Sequence, residues 1–230
     1  FHGLIPKLAV KPGDEVKAGT VLFYDKYHEN IKFTSPVSGE VADIIRGEKR
    51  KLLEVRIFPD KDIRYEQFTV SDPNKLSGEE LKNTLLKAGL WPMIRQRPYD
   101  VIANPDKKPK AIFISTFNSA PLAPDYDFIV HGQGDIFQVG LDALSKLCDG
   151  KVHLNVNADV ISSGVFRNSK NVIINYFSGP HPAGNVGVQI HHIDPINKGE
   201  IVWYINPQDV FSVGKLFTEG KFDATRIIAL

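Results

Sequence analysis

Hydrophobic and polar residues alternate over short stretches in the first part of the chain. Residues 31–34, 40–45 and 52–58 show this alternation, and turns that contain glycine or proline separate them. A period of two residues predicts strands with one buried face. Many short strands with frequent turns are typical of a small sandwich or barrel. We therefore predict that residues 1–70 form an all-β domain.

A helical pattern follows this β-like region. Leu81, Leu85 and Leu86 fall on one face of a helix, and Ser77 precedes Glu80 by the spacing of a capping box. Gly89 is a typical signal for the end of a helix. Prolines are frequent from there to residue 110, so we interpret residues 71–110 as a helix and a proline-rich connector.

Strand and helix patterns alternate through the rest of the chain. Strands are predicted at residues 111–115, 152–156, 172–177, 200–205 and 226–230. Helices are predicted over residues 135–147 and between Asn206 and Gly220. Such alternation favours a mainly parallel sheet, so we predict a Rossmann-like α/β domain over residues 111–230. The chain ends on a strand-like pattern without a cap, and we expect a truncated domain in a multidomain α+β fragment.

Composition excludes several classes of protein. The 230 residues include 28 Lys and Arg against 27 Asp and Glu, so we expect no nucleic-acid partner. Cys148 is the one cysteine, which excludes a disulfide framework and a cysteine-ligated iron–sulfur or zinc cluster. No stretch approaches the roughly 18 apolar residues that a membrane-spanning helix needs.

Two segments are candidates for ligand contact. Gly132-Gln133-Gly134 precedes a predicted helix, but Phe137 stands where a dinucleotide fingerprint needs a glycine, so we interpret the segment as a turn. The loop at residues 179–187 is rich in glycine and proline and leads to His191-His192. Adjacent histidines on a strand would point to opposite faces, which disfavours a shared metal. The loop is interpreted either as a contact site or as a rigid structural element, and we assign no catalytic residue and no metal ligand.

The first domain resembles the lipoyl/biotinyl type of barrel-sandwich hybrid. The resemblance is carried by V-x-P-G-D-x-V-x-x-G-x-x-L from Val10 and by S-P-V-S-G-x-V from Ser35. Carriers of that type bear their cofactor on a lysine at a hairpin tip, and Lys26 lies too early in this sequence to match it. We predict a fold without the modification, used for docking, and keep a lipoyl or biotin carrier as the remote alternative.

Essentially the whole chain resembles the A subunit of the Na⁺-translocating NADH:quinone oxidoreductases. The segments that carry this resemblance include VKPGDEVKAGTVLFYDK, GLWPMIRQRPYD, FSGPHPAGNVG and IVWYINPQDV. It implies a longer protein that is soluble when isolated and peripheral at the cytoplasmic face of the bacterial inner membrane. Its partners would be the other subunits of the sodium pump, chiefly the membrane-embedded B subunit. The complex uses NADH, flavins, iron–sulfur centres and ubiquinone, and the resemblance places its redox cofactors in other subunits.

Related subunits of Rnf complexes and of complex I carry a glycine-rich FMN loop where residues 89–94 stand here. Leu90 and Trp91 would fill the space that backbone amides need to cradle a phosphate. We therefore expect a scaffold without its own cofactor that contributes to quinone binding, with a dedicated quinone-binding module as the alternative. The candidates for contact with quinone or a partner are His181, Pro182, Gly184, Phe177 and Trp203.

Overall fold

The N-terminal unit of the chain is built from two small antiparallel sheets that face each other. The computed structural model describes residues 3–160, 162 and 164–228. One sheet consists of β1 (Pro6–Leu8), β3 (Val21–Asp25) and β4 (Lys32–Thr34), and the other of β2 (Glu15–Val16), β5 (Gly39–Arg46) and β6 (Leu52–Pro59). Val16, Leu22 and Val41 are buried between them. The alternation of the sequence thus corresponds to one face of each sheet turned inward.

The pairing of β5 with β6 requires glycine at position 39. Gly39 has φ of +151°, and a Cβ atom there would overlap with the backbone carbonyl of Phe58. The two positions are neighbours in the pairing of β5 with β6, where Gly39 opposes Pro59 and Glu40 opposes Phe58. A side chain at position 39 would therefore push the two strands apart.

The second unit contains a six-stranded sheet in the order β11-β10-β9-β12-β7-β8. Its strands are β7 (Arg95–Arg97), β8 (Val101–Ile102), β9 (Ala111–Ser115), β10 (Lys151–Asn157), β11 (Ile173–Phe177) and β12 (Val202–Tyr204). Strands β11, β10, β9 and β12 form a parallel sheet in this order. Strand β7 pairs antiparallel with β12 and with β8. The expected mainly parallel sheet is present, with an antiparallel hairpin added at one edge.

Helices cover both faces of this sheet. They are α1 (Gly78–Ala88), α2 (Tyr126–Ile129), α3 (Gly134–Ser145), α4 (Gly164–Arg167), α5 (Val186–Ile193) and α6 (Pro207–Glu219), with short 3₁₀ turns at Glu48–Arg50, Pro73–Lys75 and Trp91–Met93. Ile112 and Ile114 belong to the core that includes residues of α1, α3 and α6. Phe113 packs instead with Ile190 of α5. Residues of β9 thus alternate between two apolar layers, as a strand buried on both faces requires.

The helix predicted after residue 76 is confirmed together with its caps. Ser77 Oγ accepts from the Glu80 backbone N–H at 3.2 Å, and Glu80 Oε2 accepts from the Ser77 N–H at 2.8 Å. Gly89 ends the helix in the left-handed conformation with φ of +75°. Within residues 71–110, interpreted as a helix and a proline-rich connector, α1 packs into the core and β7 and β8 extend the sheet.

Two sequence expectations near the C-terminal half are corrected. Helix α5 begins at Val186, within the predicted loop, and continues to Ile193 where a strand was considered, so His191 and His192 lie in one helical turn. Residues 226–228 form no strand, and residues 229–230 of that predicted strand lie outside the described residues. None of the helices in the described ranges is long and apolar enough to cross a membrane.

The two units share a packed interface. Ile31 is buried in the core of the second unit, and Phe33 packs against the same core. A Cβ atom added at Gly89 would overlap with the side chain of Thr34 on β4. The Phe68 backbone N–H also donates to the Gly220 carbonyl at 2.7 Å. These contacts create a cavity between the units.

Candidate functional site

The loop at residues 179–187 is held against the end of β9 by hydrogen bonds. Ser119 Oγ lies 3.1 Å from His181 Nδ1 and accepts from the Gly184 backbone N–H at 2.9 Å. A Cβ atom at Gly184 would overlap with the backbone of Ser119, so this close approach requires glycine. The glycine at position 184 thus allows the loop at residues 179–187 to pack tightly against the loop that contains Ser119.

A network of buried polar side chains also holds the loop at residues 179–187 in place. Gln189 Nε2 donates to Ser115 Oγ at 3.0 Å and to the Ala183 carbonyl at 3.1 Å. Gln189 Oε1 accepts from Asn155 Nδ2 at 2.9 Å. Gln189 and Asn155 are fully buried. Asn155 Oδ1 accepts from Asn175 Nδ2 at 2.9 Å, so both side-chain amides have hydrogen-bond partners. Polar groups buried in this way lock one arrangement of the parts they join.

The five predicted contact residues do not form one wall. His181 and Gly184 line a cavity of about 200 Å³, and Pro182 lies exposed in the same loop. Phe177 is half-buried at the end of β11. Trp203 lies on the opposite face of the sheet, where its ring meets Trp91 edge-on at 5.4 Å. Trp203 does not share a face with α5, because its neighbour Val202 packs with Ile190 and adjacent residues in a strand point to opposite faces.

The histidine pair also differs from expectation. The rings of His191 and His192 are 5.8 Å apart in α5, and both residues are exposed. No group of three side chains suited to bind a metal occurs among the residues that the structure describes. The absence of a metal from the predicted site residues stays a prediction.

A larger cavity of about 580 Å³ lies between the two units. Its apolar wall includes Phe23 and Phe33, whose rings stack at 4.7 Å, together with Pro92, Met93 and Phe222. A cavity of this size that combines an apolar wall with convergent polar groups has the character of a ligand site. None of its lining residues belongs to the loop predicted from the sequence.

The polar wall of this interdomain cavity is organised around Asp100. Tyr204 donates to Asp100 Oδ1 at 2.7 Å, and Arg95 Nε lies 3.3 Å from the same oxygen. Burial disfavours the charged form of Asp100, but these partners outweigh it and the pKa of Asp100 falls below its ordinary value. Burial and the nearby carboxylate of Asp100 raise the pKa of Tyr204. The pair therefore holds an ionised acid and a neutral phenol.

A second acid lies at the other side of the interdomain cavity. Asp209 lines the cavity and pairs with Arg226 Nη2 at 2.6 Å. Burial raises the pKa of Asp209, and the neighbouring charge of Arg226 only partly opposes this. The two lining acids consequently have pKa values shifted in opposite directions.

Two buried polar atoms remain without hydrogen-bond partners in the described part of the chain. They are Thr34 Oγ1 and Arg97 Nε. Thr34 lines the interdomain cavity, and Arg97 lines the cavity next to His181. Sequence reasoning missed both residues, and also Tyr204, because none of them carries a local motif. Their positions depend on contacts between segments far apart in the chain.

The remaining motifs are placed as follows. Leu90 and Trp91 are fully buried, and Trp91 Nε1 donates to the Ala103 carbonyl at 2.7 Å. Helix α3 begins at Gly134, and Phe137 is fully buried where a dinucleotide fingerprint needs glycine. Lys26 directly follows β3, and its Nζ lies 5.8 Å from the ring centre of Tyr27.

Two family models match the chain. The model described as the NqrA N-terminal barrel-sandwich hybrid domain matches residues 1–60, and that of the NqrA second alpha/beta domain matches residues 76–222. These matches confirm the predicted fold of both units.

Curated relatives match over the full chain. Each is named as the A subunit of a Na(+)-translocating NADH-quinone reductase. The proteins of Yersinia pestis and Pasteurella multocida are 40% identical to this chain over 233 and 234 residues, and that of Neisseria meningitidis serogroup B is 41% identical over 234 residues. Each alignment covers 100% of this chain and 52% of the relative. The chain thus spans about half the length of these relatives.

Proposed function

Because the chain belongs to the NqrA family, the A subunits of the Na⁺-translocating NADH-quinone reductases, we propose that it forms part of such a sodium-pumping respiratory complex. We assign it the role of a scaffold subunit that carries no redox cofactor of its own and contributes to quinone binding. The catalytic activity, NADH oxidation coupled to quinone reduction and Na⁺ transport, belongs to the assembled complex.

Bulky buried side chains in residues 89–94 support the proposal of a scaffold without flavin. Leu90 and Trp91 are fully buried, and the Trp91 indole packs edge-on against Trp203. A loop that cradles phosphate needs free backbone amides and room beside them. An absorbance scan of the purified full-length protein tests this proposal, since stoichiometric flavin absorbance would overturn it.

The loop at residues 179–187 is proposed as a contact with the membrane-embedded B subunit of the pump, on the cytoplasmic side of the inner membrane. His181 and Pro182 are exposed, while the hydrogen bonds of Gly184 hold the loop in one conformation. A photo-crosslinking residue at position 182 of the assembled complex should capture the neighbouring subunit. The same residue at position 58, where Phe58 is 72% exposed in the N-terminal unit, is the reference, and equal capture at both positions would overturn the assignment.

For quinone we propose the interdomain cavity, with Thr34 as the group that carries the argument. An unpaired buried hydroxyl costs roughly 1–3 kcal/mol, and a ligand carbonyl that accepts its hydrogen bond would remove this cost. The stacked rings of Phe23 and Phe33 lie in the same wall and suit a flat apolar ring. The cavity beside His181 is smaller and lined mainly by polar residues.

Titration of a short-chain ubiquinone against the full-length protein tests this location. We expect Thr34→Val to weaken binding by about tenfold, because it removes one hydrogen bond and preserves the side-chain shape. Thr218→Val is the matched control, since Thr218 donates to a helical carbonyl and is exposed. A loss of affinity in His181→Ala together with unchanged affinity in Thr34→Val would move the quinone to the loop.

The dedicated quinone-binding module is favoured over the scaffold if the isolated full-length protein binds quinone as tightly as the complex does. The carrier alternative rests on Lys26 alone. An intact mass without an addition on Lys26 would eliminate a lipoyl or biotin carrier.

A further inference from the structure

The cavity beside His181 lies at the carboxyl ends of two neighbouring strands of the sheet, β9 and β12. Ser115 and Phe117 line it at the end of β9, and Asn206 lines it shortly after β12. From β9 the chain proceeds to β10 on one side, whereas β12 pairs with β9 on the other side. In open α/β sheets, ligands bind in the crevice outside the carboxyl ends of two strands where the strand order reverses in this way.

Arg97 brings an unsatisfied buried donor to this cavity. Its Nε is buried and has no hydrogen-bond partner, and no acid within ion-pair distance of Arg97 is found in the described ranges. Its charge helps to lower the pKa of Asp100, but Arg95 is the residue that pairs with that acid. A buried donor that lacks an acceptor is costly. Its position at the wall of a cavity therefore points to an acceptor that comes from outside.

Two neutral carboxamides, those of Asn118 and Asn185, line the same cavity as this arginine. Asn118 Oδ1 accepts from the Ala120 N–H at 2.9 Å, and Asn185 Oδ1 accepts from the Gly187 N–H at 2.8 Å. The oxygens of both carboxamides are thus engaged, which leaves their NH₂ groups as donors. No aspartate or glutamate is found among the residues described as lining this cavity.

We propose that this cavity binds a small tetrahedral oxyanion, a phosphate group or a phosphate monoester, through Arg97, Asn118 and Asn185. A guanidinium binds phosphate oxygens through two parallel hydrogen bonds. The donors come from three separate segments, namely β7, the stretch after β9 and the loop before α5. Donors on several sides suit a tetrahedral group better than a planar carboxylate. A volume of about 200 Å³ matches a small anionic group and is small for a whole nucleotide.

The test is a calorimetric titration of inorganic phosphate against the full-length protein at constant ionic strength, with chloride as the replaced anion. We expect a saturable site that Arg97→Gln weakens by at least about tenfold, since hydrogen bonds to charged groups are the strong ones. Asn118→Asp should weaken it similarly, because the aspartate keeps the turn to Ala120 but adds a negative charge. Arg56→Gln, which removes an exposed arginine of the N-terminal unit, is the matched control and should leave binding unchanged.

Thermal unfolding of each variant separates loss of the site from loss of the fold. Absence of a saturable phosphate site in the full-length protein would overturn the proposal, as would equal affinity in Arg97→Gln and Arg56→Gln. Phosphate binding is measured without quinone, so its outcome is independent of the quinone titration.

Discussion

The hydroxyl of Tyr204 donates a hydrogen bond to Asp100 Oδ1 across 2.7 Å and thereby ties the end of β12 to the turn between β7 and β8. The ring centre of Tyr204 also lies 5.1 Å from the guanidinium of Arg97. Tyr204 therefore stands between the interdomain cavity, which it lines, and the proposed oxyanion cavity, which Arg97 lines. One side chain connects the two candidate sites.

Tyr204→Phe should lower the free energy of unfolding by about 1 kcal/mol at neutral pH, because it leaves the ionised Asp100 with one donor fewer. Urea unfolding measures this effect. Tyr99→Phe is the matched control, since Tyr99 is 83% exposed and should tolerate the same change. Equal stability of the two variants would mean that the Tyr204 hydrogen bond contributes no net stability.

Thr34→Val should leave the stability of the ligand-free protein unchanged or raise it. The hydroxyl that it removes is buried without a partner, and valine has nearly the same shape. Replacing an unsatisfied polar group by an apolar one removes a desolvation cost. A drop in the free energy of unfolding of about 1 kcal/mol or more would show that the hydroxyl has a hydrogen-bond partner in solution.

Gly89→Ala should destabilise the junction between the two units. Gly89 has φ of +75°, and an added Cβ would overlap with Thr34. We expect a loss of about 2–3 kcal/mol, which combines the cost of a left-handed alanine with that of the overlap. Gly132→Ala isolates the first cost, because Gly132 has φ of +73° with nothing within 4 Å of its added Cβ. Similar losses in both variants would contradict the close packing of Gly89 on Thr34.

The stability of the protein should depend on pH through Asp223. Burial disfavours the charge of this acid, but hydrogen bonds from Lys215 and Thr225 outweigh it and lower the pKa of Asp223 from 3.8 to about 2. The pKa in the folded state lies below that in the unfolded state, so the contribution is present above about pH 4 and is lost as pH falls towards 2.

Asp223→Asn should therefore cost about 1–2 kcal/mol at pH 7 and much less at pH 2. Urea unfolding at several pH values measures the difference. Asp106→Asn, at an exposed position of a loop, serves as the control and should leave the free energy of unfolding at pH 7 unchanged. A difference between Asp223→Asn and the parent that stays constant from pH 7 to pH 2 would refute the assignment.

Ser77→Ala should lower the free energy of unfolding by about 1 kcal/mol through loss of the capping box. Ser77 Oγ accepts from the Glu80 N–H at the start of α1. Ser178→Ala, at an exposed position outside the helices, is the comparison. The expected difference would be absent if water replaced the cap at no cost.

The local elements of the fold could be predicted from the sequence. Ser77, Glu80 and Gly89 define the ends of α1 through contacts within a few residues, and alternating residues define the strands of the N-terminal unit. Helix α5 was missed because glycine and valine at its start are weak helix formers, and packing of Ile190 on Phe113 overrides that preference. The sequence also indicated the family, because long unusual segments match it as a whole.

Only the tertiary structure decided which side chains share a cavity. Thr34 meets Gly89 across the junction of two units, and Arg97 lines the same cavity as Gly184 of the loop. Trp203, one residue from a position facing α5, points to the opposite layer. Periodicity and helix caps depend on residues close together in the sequence, so the sequence by itself determined the strands of the N-terminal unit and the ends of α1. A cavity depends on how distant segments pack, and the packing free energy of the whole chain selects that arrangement.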